Sequence, residues 1–155
     1  MVANPEKELR FTRSGQAVQF CILGAVLIGI AVTLAATGYY REINPLLPHP
    51  AWAIPFLVLG GGCFWLSVHL AKHAYLILSP LGVEIFPFFR PKKGMQVVMW
   101  QEIVDAEIDE EKNRMTLHFN PEKTSGLHLS MRPVSRKLRS LLAKAVLGRV
   151  SQRDL

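Results

Sequence analysis

The stretch that decides the fold runs from residue 17 to residue 40 and reads AVQFCILGAVLIGIAVTLAATGYY. It holds 24 residues, and no charged side chain lies between Ser14 and Tyr40. An α-helix rises about 1.5 Å per residue, so about 20 apolar residues cross the ~30 Å hydrocarbon core of a bilayer. The segment is therefore predicted to be a transmembrane helix.

A second apolar run at 51–71 follows a short loop at 41–50 and also lacks charge. Helices of a water-soluble bundle carry a polar stripe at helical period, whereas the strongly polar residues of these runs, Gln19 and His69, lie near their ends. A cleaved signal peptide is the alternative for the first run, but the run exceeds the usual hydrophobic region of about 7–15 residues. We therefore expect an uncleaved transmembrane hairpin at 17–72.

The orientation of the hairpin follows from the basic residues close to its ends, because Lys and Arg are retained on the cytoplasmic side. The loop holds only Arg41, whereas several basic residues flank the helices on the other side: Lys7, Arg10, Arg13, Lys72, Arg90, Lys92 and Lys93. The sequence therefore predicts a multi-pass protein of the cytoplasmic (inner) membrane with both termini in the cytoplasm. Residues 1–16 form a leader, and residues 73–155 form a cytoplasmic domain.

Small residues recur along both apolar runs, mostly four residues apart. Small side chains let helix backbones approach closely in lipid. They serve either to pack the two helices together or to dock a separate membrane protein, and the three consecutive glycines suggest the second use. The residues concerned are Ala25, Gly29, Thr33, Thr37, Gly60, Gly61, Gly62, Cys63 and Ser67.

The pattern changes after His73 to short runs of β-forming residues separated by Gly, Pro, Asn and Asp. Such spacing is typical of antiparallel strands closing toward a barrel or sandwich. Pro87 within the second run indicates an edge strand or a bulge. Apolar residues at helical spacing then predict a C-terminal helix at 134–150. About six strands are expected, at 74–79, 83–89, 96–100, 103–108, 114–119 and 127–131.

Three short stretches resemble a family of bacterial membrane proteins with a pleckstrin-homology (PH)-like domain, the YcxB-like group. They are LSPLGVE at 78–84, VMWQEI at 98–103, and LHLSM at 127–131 running into the last helix. The resemblance implies a mainly-β PH-like domain of about six antiparallel strands capped by a C-terminal helix. The sequence departs from the family in its brief leader, where only LRFT at 9–12 offers a strand ahead of the membrane helices.

The resemblance does not carry over a phosphoinositide site. Eukaryotic relatives of the PH fold hold these lipids through basic residues in the loop between their first two strands. Here that turn is SPLG at 79–82, which contains no cation. A shared fold does not by itself define a function.

Candidate chemical groups are few, and each has a structural alternative. His69 and His73 are either a metal pair or interfacial polar residues, and His118 and His128 either form a metal or pH-sensing pair or lie on a solvated face. Alternating carboxylates at 105–109 either act in acid–base chemistry or protect an edge strand. No catalytic or nucleotide-binding motif occurs, and Cys21 and Cys63 lie inside the apolar runs. We expect no enzyme activity, no metal and no cofactor.

The net charge is +6, which favours contact with anionic lipid and, without a nucleic-acid motif, does not indicate nucleic-acid binding. The basic turn and the C-terminal helix either contact the membrane surface or a partner, or are ordinary solubilising charge. The candidate residues are Arg90, Lys92, Lys93, Arg136, Lys137 and Arg139.

These features predict a non-enzymatic, membrane-anchored interaction module. Its PH-like domain presents a surface to a protein partner or to anionic membrane lipid. The alternative is a small accessory subunit of a larger membrane complex, docked through its transmembrane helices.

Overall fold

A computed structural model describes residues 7–89 and 93–153. The chain divides into a helical unit, Gln16–Ala71, and a β-unit built from the segments that flank it, 7–15 and 72–153. The elements in chain order are β1 (Leu9–Thr12), α1 (Ser14–Tyr39), α2 (Ala53–Lys72), β2 (Ala74–Leu78), β3 (Gly82–Ile85), β4 (Gln96–Met99), β5 (Asp105–Asp109), β6 (Arg114–His118), β7 (Gly126–Ser130) and α3 (Arg136–Arg153).

Helices α1 and α2 are the two apolar helices expected from the sequence. With their short 3₁₀ extensions they span Ser14–Glu42 and Pro50–Lys72, and both are long and apolar enough to cross a membrane. Their ends lie within three residues of the predicted ends at 17–40 and 51–71. The runs are uninterrupted by charge, and the proline that the second run contains, Pro55, lies in the first turn of α2, where a missing N–H breaks no helical hydrogen bond; this explains the agreement.

The β-unit contains two antiparallel sheets, one ordered β1-β2-β3-β4 and the other β5-β6-β7. The two helices followed by an antiparallel domain with a C-terminal helix confirm the predicted architecture. The strand count differs, because the described residues form seven strands instead of about six. The additional strand is β1. Its Phe11 pairs with Leu76 of β2, although the helical unit separates the two strands in sequence.

Strand β3 is an inner strand, hydrogen-bonded to β2 on one side and β4 on the other. It ends at Ile85, two residues before Pro87. The expectation that Pro87 marks an edge strand or a bulge is therefore wrong. Proline has no N–H to contribute to a ladder, and here the ladder simply ends before it.

The hydrophobic core of the β-unit draws on both sheets and on α3. Phe11 of β1 is 2 % exposed, Leu78 and Val83 are fully buried, and Met115 and Leu117 provide the corresponding side chains of β6. Helix α3 covers this core with Leu142, Ala145, Val146 and Val150, which recur at helical spacing.

Arg13 stabilises the segment that joins β1 to α1. Its guanidinium lies over the Tyr75 ring, 4.5 Å from the centroid, and donates a hydrogen bond to the Phe86 carbonyl. Burial lowers the pKa of Arg13. Burial also raises the pKa of Tyr75, against the opposing effect of the Arg13 charge. The Tyr75 hydroxyl donates to the Ser130 carbonyl at 2.8 Å, which joins β2 to the end of β7.

Arg149 of α3 also joins segments of the β-unit that are distant in sequence. Its Nη1 donates to the Ser79 carbonyl at 2.7 Å and its Nη2 to the Lys7 carbonyl at 2.6 Å. The guanidinium also lies over the ring of Trp100. Burial lowers the pKa of Arg149. Arg13 and Arg149 thus act as structural donors to backbone carbonyls.

Replacing Phe11 by Ala tests whether the N-terminal strand belongs to the folded domain. Removing a buried aromatic ring costs about 3–5 kcal/mol, so we expect a large fall in the free energy of unfolding of the β-unit, measured by denaturant titration of the full chain in detergent. Leu81→Ala is the matched control because Leu81 is 79 % exposed. Equal stability of the two variants would show that the segment is a loose tail.

Candidate interaction surfaces

The outer side of β4 carries exposed apolar side chains on an edge strand. Met95, Val97 and Met99 are about half exposed, whereas Val98 between them is buried in the core. β4 pairs with β3 on one side, and it is the last strand of its sheet. We call these three side chains the β4 edge patch. Apolar side chains on an unpaired strand edge favour association with another chain.

The backbone of β4 also presents hydrogen-bonding groups at this edge. Trp100 donates its N–H to the Leu81 carbonyl, which continues the β3–β4 ladder. Antiparallel pairs alternate between hydrogen-bonded and non-hydrogen-bonded, so Val98 points its backbone groups toward β3 and Val97 points its own away. The N–H of Met99 is held by Oε2 of Glu102 at 3.3 Å.

The basic candidates from the sequence fall into three groups. Arg90 and Lys92 lie outside the described residues, and Lys93 is exposed just before the β4 edge patch. Arg136 and Lys137 are exposed in the first turn of α3. Of the basic candidates in the described part of the chain, Lys93, Arg136 and Lys137 are thus exposed to solvent.

Arg139 is engaged within the β-unit. Its guanidinium donates to Asn113 Oδ1 at 2.7 Å and to the carbonyls of Val134 and Arg132. With Arg136 it lines a cleft of about 420 Å³ between α3 and the β5–β6 turn. Asn113 in that turn has φ of 50°, a left-handed conformation that Asn tolerates better than most residues. Arg139 therefore stabilises this turn.

The other sheet has a polar edge. Asp105 and Glu107 of the edge strand β5 both lie close to Lys123, with the Asp105 carboxylate 3.1 Å from Nζ. The hydrogen bond from Lys123 lowers the pKa of Asp105 and raises that of Lys123. The carboxylates of β5 are thus paired at the surface, and charge along this edge opposes strand addition.

His118 and His128 lie on the same face of adjacent strands, as their alternation predicts. Thr116 pairs with His128, and its hydroxyl is 2.9 Å from His128 Nδ1. His118 is only 7 % exposed, so the expectation of a solvated face is wrong for this residue. Its Nε2 lies 3.4 Å from Oε2 of Glu107.

The other histidine pair does not form a ligand set either. The ring of His69 stacks on Trp65 within α2, with centroids 5.5 Å apart. Across residues 7–89 and 93–153, no group of three or more His, Cys, Asp or Glu side chains is arranged to hold a metal ion.

The helical unit packs through small residues that recur every seven positions. Ala17, Gly24 and Ala31 are buried on α1, and Ala53 and Gly60 are buried on α2. A Cβ on Gly24 would lie 3.1 Å from the Gly60 carbonyl oxygen. A Cβ on Gly60 would lie 2.9 Å from the Ile28 side chain. A seven-residue repeat of small residues gives the close, left-handed packing of a coiled coil.

The helix-packing candidates from the sequence divide between this contact and the outer surface. Gly60 and Cys63 lie at Gly24, and the Ser67 hydroxyl donates to the Ala17 carbonyl at 2.6 Å. The structure places the α1 side of the contact at Gly24, not at Ala25, which is exposed. Gly29, Gly61 and Gly62 have no atom within 4 Å of a Cβ position. The Thr33 and Thr37 hydroxyls donate within α1, to the Gly29 and Leu34 carbonyls.

The sequence reasoning missed the β4 edge patch and the seven-residue repeat. The repeat at 17, 24 and 31 and at 53, 60 and 67 is visible in the sequence, but four-residue spacing obscured it. The patch leaves no comparable signal, because alternate apolar residues also occur on a buried face.

No family model, curated protein or solved structure shows significant similarity to this chain.

Gly60→Leu and Gly61→Leu form a matched pair that tests the helix contact. Leucine at Gly60 must displace Ile28 and the opposite backbone, so we expect a loss of about 1–3 kcal/mol in hairpin stability, as is usual for overpacking. Gly61→Leu should leave stability unchanged because that position is open. Thermal unfolding in mild detergent measures both, and equal midpoints would contradict the described packing.

Proposed function

We propose that this chain is a non-enzymatic, membrane-anchored interaction module. The helical hairpin fixes it in the cytoplasmic membrane with both termini on the cytoplasmic side. The β-unit, a PH-like domain of the YcxB-like group, presents a surface to a protein partner or to anionic lipid. The β4 edge patch is the observation that carries this proposal.

The way in which the chain enters and leaves the helices supports a domain held at the membrane surface. Only Arg13 separates β1 from α1, and only His73 separates α2 from β2. The β-unit is therefore tethered to the hairpin through two covalent connections of one residue each. A surface patch on a tethered domain meets partners in the same membrane at high effective concentration.

The electrostatics of the β-unit support a cytoplasmic location and a binding role. The cations Lys93, Arg136 and Lys137 are exposed, and each Lys or Arg near an anionic leaflet contributes about 1 kcal/mol. Arg13, Arg139 and Arg149 donate to backbone or amide oxygens, and Asp105 is paired with Lys123. These contacts give the titratable groups structural roles, which favours an interaction module over an enzyme.

Site-specific photo-crosslinking in native membranes tests the module directly. A benzophenone amino acid placed at position 97 should give discrete adducts, because Val97 is the centre of the β4 edge patch. The same group placed at Leu141 of α3, which is 44 % exposed against 46 % for Val97, serves as the control. Adducts at position 97 that are several-fold stronger support the proposal. Equal yields at both positions contradict it.

An accessory-subunit role is the second candidate, favoured by the open glycines of the helical unit. Gly61 and Gly62 lie on α2 and Gly29 on α1, all with room for a neighbouring helix. We expect Gly61→Leu to abolish co-purification of a membrane partner while the hairpin stays folded, with Gly148→Leu of α3, also an open position, as the control. Retained co-purification in Gly61→Leu would exclude docking through this face.

A further inference from the structure

We propose that the β4 edge patch binds a second copy of this chain, so that two β4 strands pair antiparallel about a twofold axis at Val97. This inference rests on the proposed function, in which the patch is the binding surface. The partner proposed for the patch is a second copy of the chain.

The register of β4 defines how two copies would meet. A twofold axis perpendicular to the sheet keeps each side chain on its own face, so a residue can pair only with one of the same parity. With the axis at Val97, Val97 faces its own copy and Met95 faces Met99. The outer face would then carry a continuous row of Met and Val side chains across the two chains. Cross-strand apolar pairs of this kind stabilise a sheet.

The backbone groups suit this register. The N–H and C=O of Val97 point away from β3, so two copies of Val97 can exchange both hydrogen bonds. The N–H of Met95 can donate to the Met99 carbonyl of the second copy. Met95 and Met99 then also form a hydrogen-bonded pair, so the Met99 N–H, which Glu102 Oε2 accepts from in the single chain, would donate to the Met95 carbonyl of the second copy. The sheet would extend from four strands to eight without a change in fold.

The charges favour a second copy over an unrelated acidic or basic partner. Residues 94–101 carry no charge, so the paired strands would not repel each other. Lys93 precedes the strand and Glu102 follows it, and antiparallel pairing brings the positive start of one strand beside the negative end of the other. The edge strand β5, by contrast, carries Asp105, Glu107 and Asp109. Edge strands are normally protected by charge, whereas β4 itself carries no charged residue and Glu102, beyond its end, accepts a hydrogen bond from the Met99 N–H.

The symmetry of the register can be tested directly, because Val97 of one copy lies opposite Val97 of the second copy. Full-length chains with two different affinity tags are co-expressed, solubilised in mild detergent and purified through one tag. Val97→Lys alone and Val97→Glu alone should each reduce recovery of the second tag at least about tenfold, since like charges face each other across the axis. Co-expression of Val97→Lys with Val97→Glu should restore recovery.

The control is Leu141→Lys, which adds a cation at a similarly exposed position and should leave recovery unchanged. Thermal unfolding of each variant reports whether the chain remains folded, and the mixed pair provides a second check because unfolded chains would not be rescued. Recovery that is unaffected by Val97→Lys, or not restored in the mixed pair, overturns the second-copy proposal.

The crosslinking experiment separates failure of this inference from failure of the proposed function. An adduct at position 97 with twice the mass of the chain supports the second copy. An adduct with lipid or with a different protein retains the interaction module and overturns the second copy. Absence of any adduct at position 97 overturns both.

Discussion

The structure depends on one long-range pairing, that of the short strand β1 with β2. Leu9 lies opposite Leu78 and Thr12 opposite Ala74, although the whole helical unit separates them in sequence. Because Thr12 pairs with Ala74, the end of β1 and the start of β2 lie side by side within the β-unit. Phe11 then adds an aromatic side chain to the core, and the Arg13 guanidinium fixes the junction against Tyr75.

Much of the architecture is predictable from local pattern, since apolar runs of 24 and 21 residues define α1 and α2 to within three residues. The six strands after His73 and the final helix also follow from periodicity and turn residues. The sequence offers β1 only as the short stretch LRFT at 9–12, because four residues become a strand through a partner more than sixty positions away. The packing of Gly24 on Gly60 was missed for a related reason, since the choice of face depends on both helices together.

The charged side chains of the β-unit make two kinds of contact. The partly buried arginines Arg13 and Arg149 donate hydrogen bonds to backbone carbonyls and lie over aromatic rings. These contacts join segments that are distant in sequence. Its acidic side chains collect on β5, where Lys123 balances them at the surface. Strand β4 contains neither a buried arginine nor a carboxylate. The two edge strands thus differ in charge, because β4 carries no charged residue of its own and β5 carries three carboxylates.

The position of β1 ahead of the helices also sets an order of events during biosynthesis. When Leu9–Thr12 leaves the ribosome, its partner strand has not yet been made, and the four-stranded sheet cannot close until residues beyond Leu78 have emerged. By then both apolar helices have been synthesised. The two apolar helices are therefore complete before the four-stranded sheet can close, so the folding of the β-unit depends on the last strand to be made rather than on the first.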